Sequence, residues 1–187
     1  MIKVVPDTNI IISSVFWKGN PHEVIRRGIL GEYQLVISSK ILDEVVNKLR
    51  NKFHFPEERT QELIDIIMVY YNIIDVTSKF DVVRDKSDNK IIECAFDGRV
   101  DYIVTGDPDL LVLKEFNWIK IIKAKDFLET LWEKSYNDKT LAQNPKTLCW
   151  GKKRWCYREY KLVYKSFGNS HFKMVTVINH FEILPIL

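Results

Sequence analysis

Short apolar segments alternate with helical patterns along residues 1–134, and this alternation limits the possible folds more than any other feature of the chain. Residues 2–5, 35–37, 102–104 and 119–122 have the length and composition of buried strands. Between them, apolar residues recur at spacings of three and four, as on the buried face of a helix. Strands separated by helices predict a mostly parallel sheet flanked by helices, which is an α/β fold.

Four helices are predicted from the spacing of their apolar residues. One follows Ser38 and Ser39, which are suited to cap a helix N-terminus, and a second opens at Pro56. A third passes through residues 91–96 and ends near Gly98, and residues 73–76 are expected to be extended. The first has Ile41, Leu42, Val45, Val46 and Leu49 on one face, and the second has Leu63, Ile66, Ile67, Tyr70 and Tyr71 as a core-facing stripe. The third passes through Ile91, Ile92, Ala95 and Phe96, and Phe127, Leu128, Leu131 and Trp132 mark the last helix.

Length and composition favour one domain with a modest extension. The chain has 187 residues, of which 46% are hydrophobic, enough for one substantial core but not for two full-sized domains. No apolar run is long enough to span a membrane, and no secretion signal is recognisable at the N-terminus. The three cysteines lie far apart and do not resemble an extracellular disulfide framework, so we expect a cytoplasmic protein with no membrane association.

The character of the chain changes near residue 135, so we predict one α/β domain over residues 1–134 and a C-terminal extension over residues 135–187. The last 49 residues contain nine Lys or Arg and only two acids, whereas the first 138 contain 19 basic and 23 acidic residues. The extension interleaves basic and aromatic residues, which suits single-stranded nucleic acid, but an accessory segment without activity has the same composition. A zinc site is a weaker alternative, because its candidate ligands lack the close pairs of zinc fingers: Cys149, Cys156, His171 and His180.

Two aspartates directly follow predicted strands. Asp7 comes after the first strand, and Asp107 follows residues 102–104 in Thr105-Gly106-Asp107-Pro108. Each has an ordinary alternative role, Asp7 as a helix cap and Asp107 as a turn residue. If the two parallel strands are neighbours, however, both carboxylates lie at the same end of the sheet and could share a cation.

Two further acids are candidates on helices. Asp88 lies three, four and seven residues before Ile91, Ile92 and Ala95, so it is aligned with the apolar face of that helix, where a carboxylate needs a compensating cation or strong donors. Glu44 lies past the edge of its helix's apolar stripe, and Lys48 at i+4 offers a plain surface ion pair. Asp85, between Arg84 and Lys86, is expected to form a loop ion pair.

Four motifs in order resemble those of PIN domains, across roughly residues 1 to 134. They are Val5-Pro6-Asp7-Thr8-Asn9-Ile10-Ile11, Ser38-Ser39-Lys40-Ile41-Leu42-Asp43-Glu44, Arg84-Asp85-Lys86-Ser87-Asp88-Asn89-Lys90 and Val104-Thr105-Gly106-Asp107-Pro108-Asp109-Leu110-Leu111. Within that family the motifs resemble the VapC-like toxin components of toxin-antitoxin pairs. Lys86-Ser87 departs from that branch, which often carries Pro-Asp there, so an extra acidic ligand is not supported at this position.

The resemblance implies a PIN-like (Rossmannoid) fold and a Mg²⁺- or Mn²⁺-dependent endoribonuclease with RNA as its substrate. The implied catalytic and metal-binding residues are Asp7, Glu44, Asp88 and Asp107, with Thr8, Asn9, Thr105 and Asp109 in supporting roles. Hard oxygen ligands suit these ions, and the absence of His from the four motifs leaves a metal-free His-based cleavage without its base. An antitoxin protein and a second copy of the chain are implied as possible partners.

Three alternatives belong to other classes. A haloacid-dehalogenase-like phosphatase also begins with a strand and an Asp, but its second acid is replaced here by Asn9. A phosphate-binding-loop enzyme is excluded because the chain has no Gly-x-x-x-x-Gly-Lys run. The more serious alternative is a catalytically inactive PIN domain that acts in RNA binding or protein docking, although such a member would be expected to have lost some of its four acids.

Overall fold

The computed structural model describes residues 1–137, and their elements alternate along the chain as the sequence predicts. The strands in this part of the chain are β1 (Lys3–Pro6), β2 (Gln34–Ser38), β3 (Tyr71–Ile74), β4 (Tyr102–Val104), β5 (Glu115–Phe116) and β6 (Ile119–Ile122). The helices are α1 (Thr8–Phe16), α2 (Asn20–Ile29), α3 (Ser39–Asn51), α4 (Glu57–Tyr70), α5 (Asn89–Asp97), α6 (Pro108–Leu111) and α7 (Ala124–Asn137). A short 3₁₀ turn, Lys86–Asp88, precedes α5.

These strands form one sheet in the order β3-β2-β1-β4-β6-β5. The first five of that order pair in parallel, and β5 runs antiparallel to β6 at the edge. The mostly parallel α/β fold is therefore confirmed, and the antiparallel edge strand is an addition that the sequence did not predict. With β2 on one side of β1 and β4 on the other, the chain reverses its direction of winding at β1, the position where open α/β sheets bind ligands.

The sheet is covered on both faces. Leu35, Val36 and Ile37 are consecutive residues of β2, and all three are fully buried. Because successive side chains of a strand point to opposite faces, such a run requires packing on both sides of the sheet. Helix α5 packs against β1, β2 and β4, and α2 packs against β2. This packing holds the central strands, and the loops that follow them, in fixed positions.

Helix α3 uses the predicted face but not the predicted cap. Ile41, Val45 and Leu49 are fully buried, so the predicted stripe faces the core. Ser38 occupies the N-cap position, yet its side chain makes no capping hydrogen bond, and its buried hydroxyl oxygen has no hydrogen-bond partner among the described residues. The serine thus marks where the helix begins without stabilising it through its hydroxyl.

The boundary between α4 and β3 differs from the prediction. The periodicity extends the helical stripe to Tyr71 and places the extended segment at residues 73–76. In the structure Tyr71 is already the first residue of β3 and pairs in register with Leu35 of β2. Parallel pairing with β2 therefore decides the state of Tyr71, which local periodicity cannot detect.

None of the helices in the described part of the chain is long and apolar enough to cross a membrane. Met1–Ser135 pack together as one unit. Most of the predicted extension lies outside the described residues, including the basic cluster at residues 152–154 and the four zinc-ligand candidates Cys149, Cys156, His171 and His180. The domain boundary near residue 134 stays a prediction.

Candidate active site

The two central strands bring the first and fourth motifs together. β1 and β4 are neighbours in parallel register, with Pro6 opposite Val104. Directly beyond that pair, the backbone amide of Asp7 donates to the carbonyl oxygen of Val104 over 2.9 Å. Asp7 is only 4% exposed. A carboxylate at the end of β1 is therefore held beside the loop that follows β4, as the strand order requires.

Thr105 links Asp7 to Asp107. Its side chain is fully buried, and its hydroxyl donates to Oδ2 of Asp7 over 2.8 Å. The same hydroxyl oxygen accepts the backbone amide of Asp107 at 2.9 Å. One hydroxyl can fill both roles because it has a single proton and free lone pairs. Thr105 thus positions one carboxylate directly and the other through its backbone.

Asp107 caps the short helix α6, as its alternative role as a turn residue suggested. Its Oδ1 accepts the backbone amide of Asp109 at 2.8 Å, at the N-terminus of α6. Capping does not exclude a second role, because a carboxylate has two oxygens and several lone pairs. The cap fixes the orientation of the Asp107 side chain near the end of β4.

Asp88 lies close enough to the other acids to feel their charge. It ends the 3₁₀ turn at the start of α5, whose inward-facing Ile91 and Ile92 are fully buried. Partial burial, followed by the charges of Asp107 and Asp7, raises the pKa of Asp88 to about 6. Carboxylates brought together in this way repel one another unless a cation or a proton intervenes.

Burial also raises the pKa of Asp7, even though the hydrogen bond from Thr105 and the charge of Lys48 act in the opposite direction. Ionisation of Asp7 and of Asp88 therefore lowers the free energy of unfolding. A divalent cation would remove that cost. The charge environment of Asp7 and Asp88 thus fits a cation site better than it fits two ordinary helix caps.

The acids near the ends of β1 and β4 offer oxygen donors, the kind that Mg²⁺ and Mn²⁺ prefer. Among residues 1–137, no three Asp, Glu, His or Cys side chains stand close enough together to chelate one ion directly. Mg²⁺ commonly retains several waters and is bound through one or two carboxylates, and all the acids gathered here offer oxygen. The arrangement therefore suits a hard, hydrated cation, and a zinc-type cage of His and Cys does not form in this region.

Glu44 has more partners than its sequence position suggested. The expected ion pair with Lys48 is present at 3.2 Å, but Lys90 of α5 also lies 3.1 Å from the carboxylate, and the hydroxyl of Thr8 donates to it. Burial alone would raise the pKa of Glu44, but hydrogen bonds from Thr8, Lys90 and Lys48 outweigh burial and lower it. Glu44 is therefore a half-buried, charged group tied to the residue that follows Asp7, not a freely solvated one.

The remaining supporting residues differ in their surroundings. Asn9 is exposed, and its side-chain oxygen accepts from the ammonium group of Lys48 at 3.3 Å. Asp109 accepts from two guanidinium nitrogens of Arg84, at 2.9 and 3.2 Å. In this arrangement Asn9 lies at the rim beside Glu44, whereas Asp109 is engaged by an arginine.

Two contacts at the site were not anticipated. Arg84 and Lys86 were expected to pair with Asp85, but Arg84 binds Asp109, and Asp85 instead accepts the backbone amide of Ser87 at 2.9 Å. The role of Lys90 as a second cation on Glu44 was also missed. The third motif contains Arg84 and Lys90, but sequence spacing does not reveal their partners, Asp109 and Glu44, which lie 25 and 46 positions away.

Replacing Asp88 by Asn is expected to raise the melting temperature at pH 7 in EDTA by about 2 to 4 °C, the shift that about 1 kcal/mol produces in a protein of this size. The folded-state pKa of about 6 exceeds the ordinary 3.8, so the folded chain binds this proton more tightly and the ionised form is destabilising above pH 6. We keep the expected gain small because Asp88 is partly exposed and solvent screens its charge.

The test is thermal unfolding of both proteins in EDTA, followed by circular dichroism between pH 4 and pH 8. The advantage of Asp88→Asn should shrink as the pH falls through 6 and vanish near the ordinary value of 3.8. A constant difference across this range would show that repulsion among these acids is not its cause.

Residues 3–109 match the PIN domain family. An uncharacterized protein of Methanocaldococcus jannaschii is 32% identical over 144 residues, a match that covers 68% of this chain and 90% of that protein. Two solved structures are also similar. VapBC2 from Rickettsia felis, bound to a DNA fragment from its promoter, has 16% identity and a TM-score of 0.47, covering 64% of this chain and 97% of that one. The RRP44 PIN domain of T. brucei has 15% identity and a TM-score of 0.45, and the match covers 75% of this chain and 87% of that one.

Proposed function

The chain belongs to the PIN domain family, and from this premise we propose that it is a metal-dependent endoribonuclease. PIN domains are generally nucleases that use divalent metals, which gives the coarse assignment; RNA as substrate and Mg²⁺ or Mn²⁺ as cofactor are our proposal. The observation that supports it is the charge environment beyond β1 and β4, where burial raises the pKa of Asp7, and burial together with the charges of Asp107 and Asp7 raises the pKa of Asp88 to about 6.

Each side chain has a role that its surroundings support. Asp7, Asp88 and Asp107 would hold the cation, one or two of them directly and the others through its bound waters, and Glu44 would stand at the rim, where Thr8 and two lysines keep it ionised. A bound Mg²⁺ or Mn²⁺ would lower the pKa of an attacking water and neutralise charge on the phosphate. Thr105 fixes the orientation of Asp7 through its 2.8 Å hydrogen bond. Attack by water needs no 2′-hydroxyl and leaves a 5′-phosphate.

The alternative is an inactive PIN domain that binds RNA or docks a protein. Loss of one or more of the four motif acids would favour that alternative, but Asp7, Glu44, Asp88 and Asp107 are all present. Two of these acids also have a hydroxyl that orients them: Thr105 donates a hydrogen bond to Asp7, and Thr8 donates one to Glu44. These features favour catalysis over a purely structural role.

The decisive experiment incubates the purified full chain with a 5′-labelled single-stranded RNA in the presence of Mn²⁺, Mg²⁺ or EDTA. We expect cleavage with a divalent cation, none in EDTA, and products that carry a 5′-phosphate. Asp7→Asn protein purified in parallel controls for contaminating ribonucleases. Cleavage that persists in EDTA, or products ending in a 2′,3′-cyclic phosphate, would contradict a water-driven metal-dependent mechanism.

A role as the toxin of a toxin-antitoxin pair is a finer proposal, supported by the VapC-like form of the four motifs. It implies a small antitoxin partner encoded beside this chain, and pairing of two PIN domains is a further expectation. Induced expression should arrest growth, and co-expression of the neighbouring small gene should restore it. Arrest by the Asp7→Asn variant to the same extent would separate toxicity from nuclease activity and count against this role.

A further inference from the structure

Helix α3 carries a stripe of basic and amide side chains that runs past Glu44. The stripe lines a shallow surface groove, together with Lys90 of α5. Its members recur at i, i+4, i+7, i+8, i+11 and i+12, which places them along one side of the helix: Lys40, Glu44, Asn47, Lys48, Asn51 and Lys52. With a rise of 1.5 Å per residue the stripe extends for about 18 Å. The groove therefore has the form of a track.

The track is held rigidly from beneath. Ile41, Val45 and Leu49 occupy the inward face of α3 and are fully buried. Helix α3 also packs against α1 and α5, the two helices that begin at the acidic site. The distance between the stripe and the acids is thus set by core packing.

Positive charge exceeds negative charge in the groove. Its lining includes four lysines, whereas Asp43 and Glu44 are its acids. Lys48 and Lys90 are bound to Glu44, between the two ends of the stripe. At the two ends, Lys40 lies 3.7 Å from Glu93 with a half-exposed side chain, and the exposed Lys52 places its ammonium 5.8 Å from the centroid of the Phe53 ring. The outer lysines are therefore accessible to an anionic ligand.

We propose that this stripe binds the phosphodiester backbone of single-stranded RNA on its way to or from the acidic centre, an inference that rests on the proposed nuclease function. Glu44 lies within the groove, and Lys48 contacts both Glu44 and Asn9, two residues beyond Asp7. An RNA cut beside Asp7 must lay its flanking phosphates on neighbouring surface, and this track, which adjoins Asn9, has a surplus of positive charge.

The composition of the groove favours RNA over an acidic protein partner. No aromatic or large apolar side chain lines it, whereas the buried centre of a protein interface is usually rich in such residues and poor in lysine. Asn47 and Asn51 add amides that can donate to phosphate or base oxygens. Lysines without stacking residues hold the backbone and do not read bases, so the track should bind RNA with little sequence preference.

The test compares the Lys40→Gln/Lys52→Gln double variant with a matched control, Lys120→Gln/Lys125→Gln, whose exposed lysines lie on β6 and α7. The lysines of the double variant lie outside the proposed catalytic set. The full chain is titrated in EDTA with a fluorescein-labelled oligouridylate of about 12 nucleotides, and binding is followed by anisotropy. Working in EDTA keeps the RNA uncut, so affinity is measured independently of hydrolysis.

Loss of two phosphate contacts should reduce the slope of log affinity against log salt by about 1.4, so the fall in affinity between about 50 and 200 mM salt should be about sevenfold smaller than in the wild type. The control should keep the wild-type slope. Because Lys40 also pairs with the buried Glu93, the single Lys52→Gln variant is included, and its slope should change by about 0.7.

Equal slopes in all the proteins would overturn the track, even if the wild type cleaves RNA normally. The track would also be overturned if polyglutamate displaced the labelled RNA more strongly than unlabelled oligouridylate did, and if the double variant lost this effect. That outcome would indicate an acidic protein partner. A slope change specific to the α3 lysines supports the track, and it does so whether or not the wild type proves to hydrolyse RNA. Failure of the nuclease proposal and failure of the track are therefore distinguishable.

Discussion

Asp7→Asn should lower the rate of RNA cleavage by more than about 100-fold, since loss of even an outer hydrogen-bond partner of a metal ligand costs about 10- to 100-fold. Asp7 is the most buried of the four acids and accepts a 2.8 Å hydrogen bond from Thr105. Asn is nearly isosteric and can still accept from Thr105, so the substitution removes the charge and little else. Initial rates of wild type and variant in saturating Mn²⁺ provide the measurement.

The stability of Asp7→Asn distinguishes a cation ligand from a structural cap. Burial raises the pKa of Asp7 above 3.8, so the folded state favours the protonated form and the ionised carboxylate costs stability at neutral pH. Without metal, the variant should therefore melt at the wild-type temperature or slightly above it. Asp65→Asn, an exposed change on α4, is the matched control. A melting temperature several degrees below that of the control would support the cap.

The placement of two candidate acids could be predicted from the geometry of parallel sheets, on the condition that their two strands are neighbours. Asp7 and Asp107 each follow a short buried strand, and parallel neighbours place their carboxyl ends together. The position of Asp88 relative to Ile91 and Ile92 likewise predicted an acid near the core, and the raised pKa of Asp88 agrees with that reading. These predictions depend only on local periodicity and on the geometry of a parallel sheet.

What could not be predicted depends on contacts between distant segments. Lys90 approaches Glu44 because α3 and α5 pack side by side, and Arg84 reaches Asp109 across the end of the sheet. A two-residue strand such as β5 has too little sequence to show alternation, and it exists because it pairs with β6. Long, flexible side chains choose partners only once the packing of the helices is set.

Thr105→Val should lower cleavage by about 10- to 100-fold, the usual cost of losing the hydrogen-bond partner that orients a metal ligand. Valine has nearly the same shape, so the fully buried position stays filled. The change removes the donor to Asp7 and the acceptor for the Asp107 amide together. Leaving such buried polar groups unpaired should also reduce the free energy of unfolding by about 1 to 3 kcal/mol. Cleavage rates in Mn²⁺ and urea unfolding in EDTA measure the two effects.

Thr105→Ser separates positioning from a general loss of stability. Serine keeps the hydroxyl that bridges Asp7 and Asp107 but loses a buried methyl group, so it should lower stability while retaining most of the activity. If the serine variant is as inactive as the valine variant, the hydroxyl is not what matters at this position. If instead valine cleaves at the wild-type rate, the orientation of Asp7 does not depend on Thr105. If serine retains activity and valine does not, the effect belongs to the hydrogen bonds. The serine variant would then be active although it has lost a packed methyl group, so packing is not the cause.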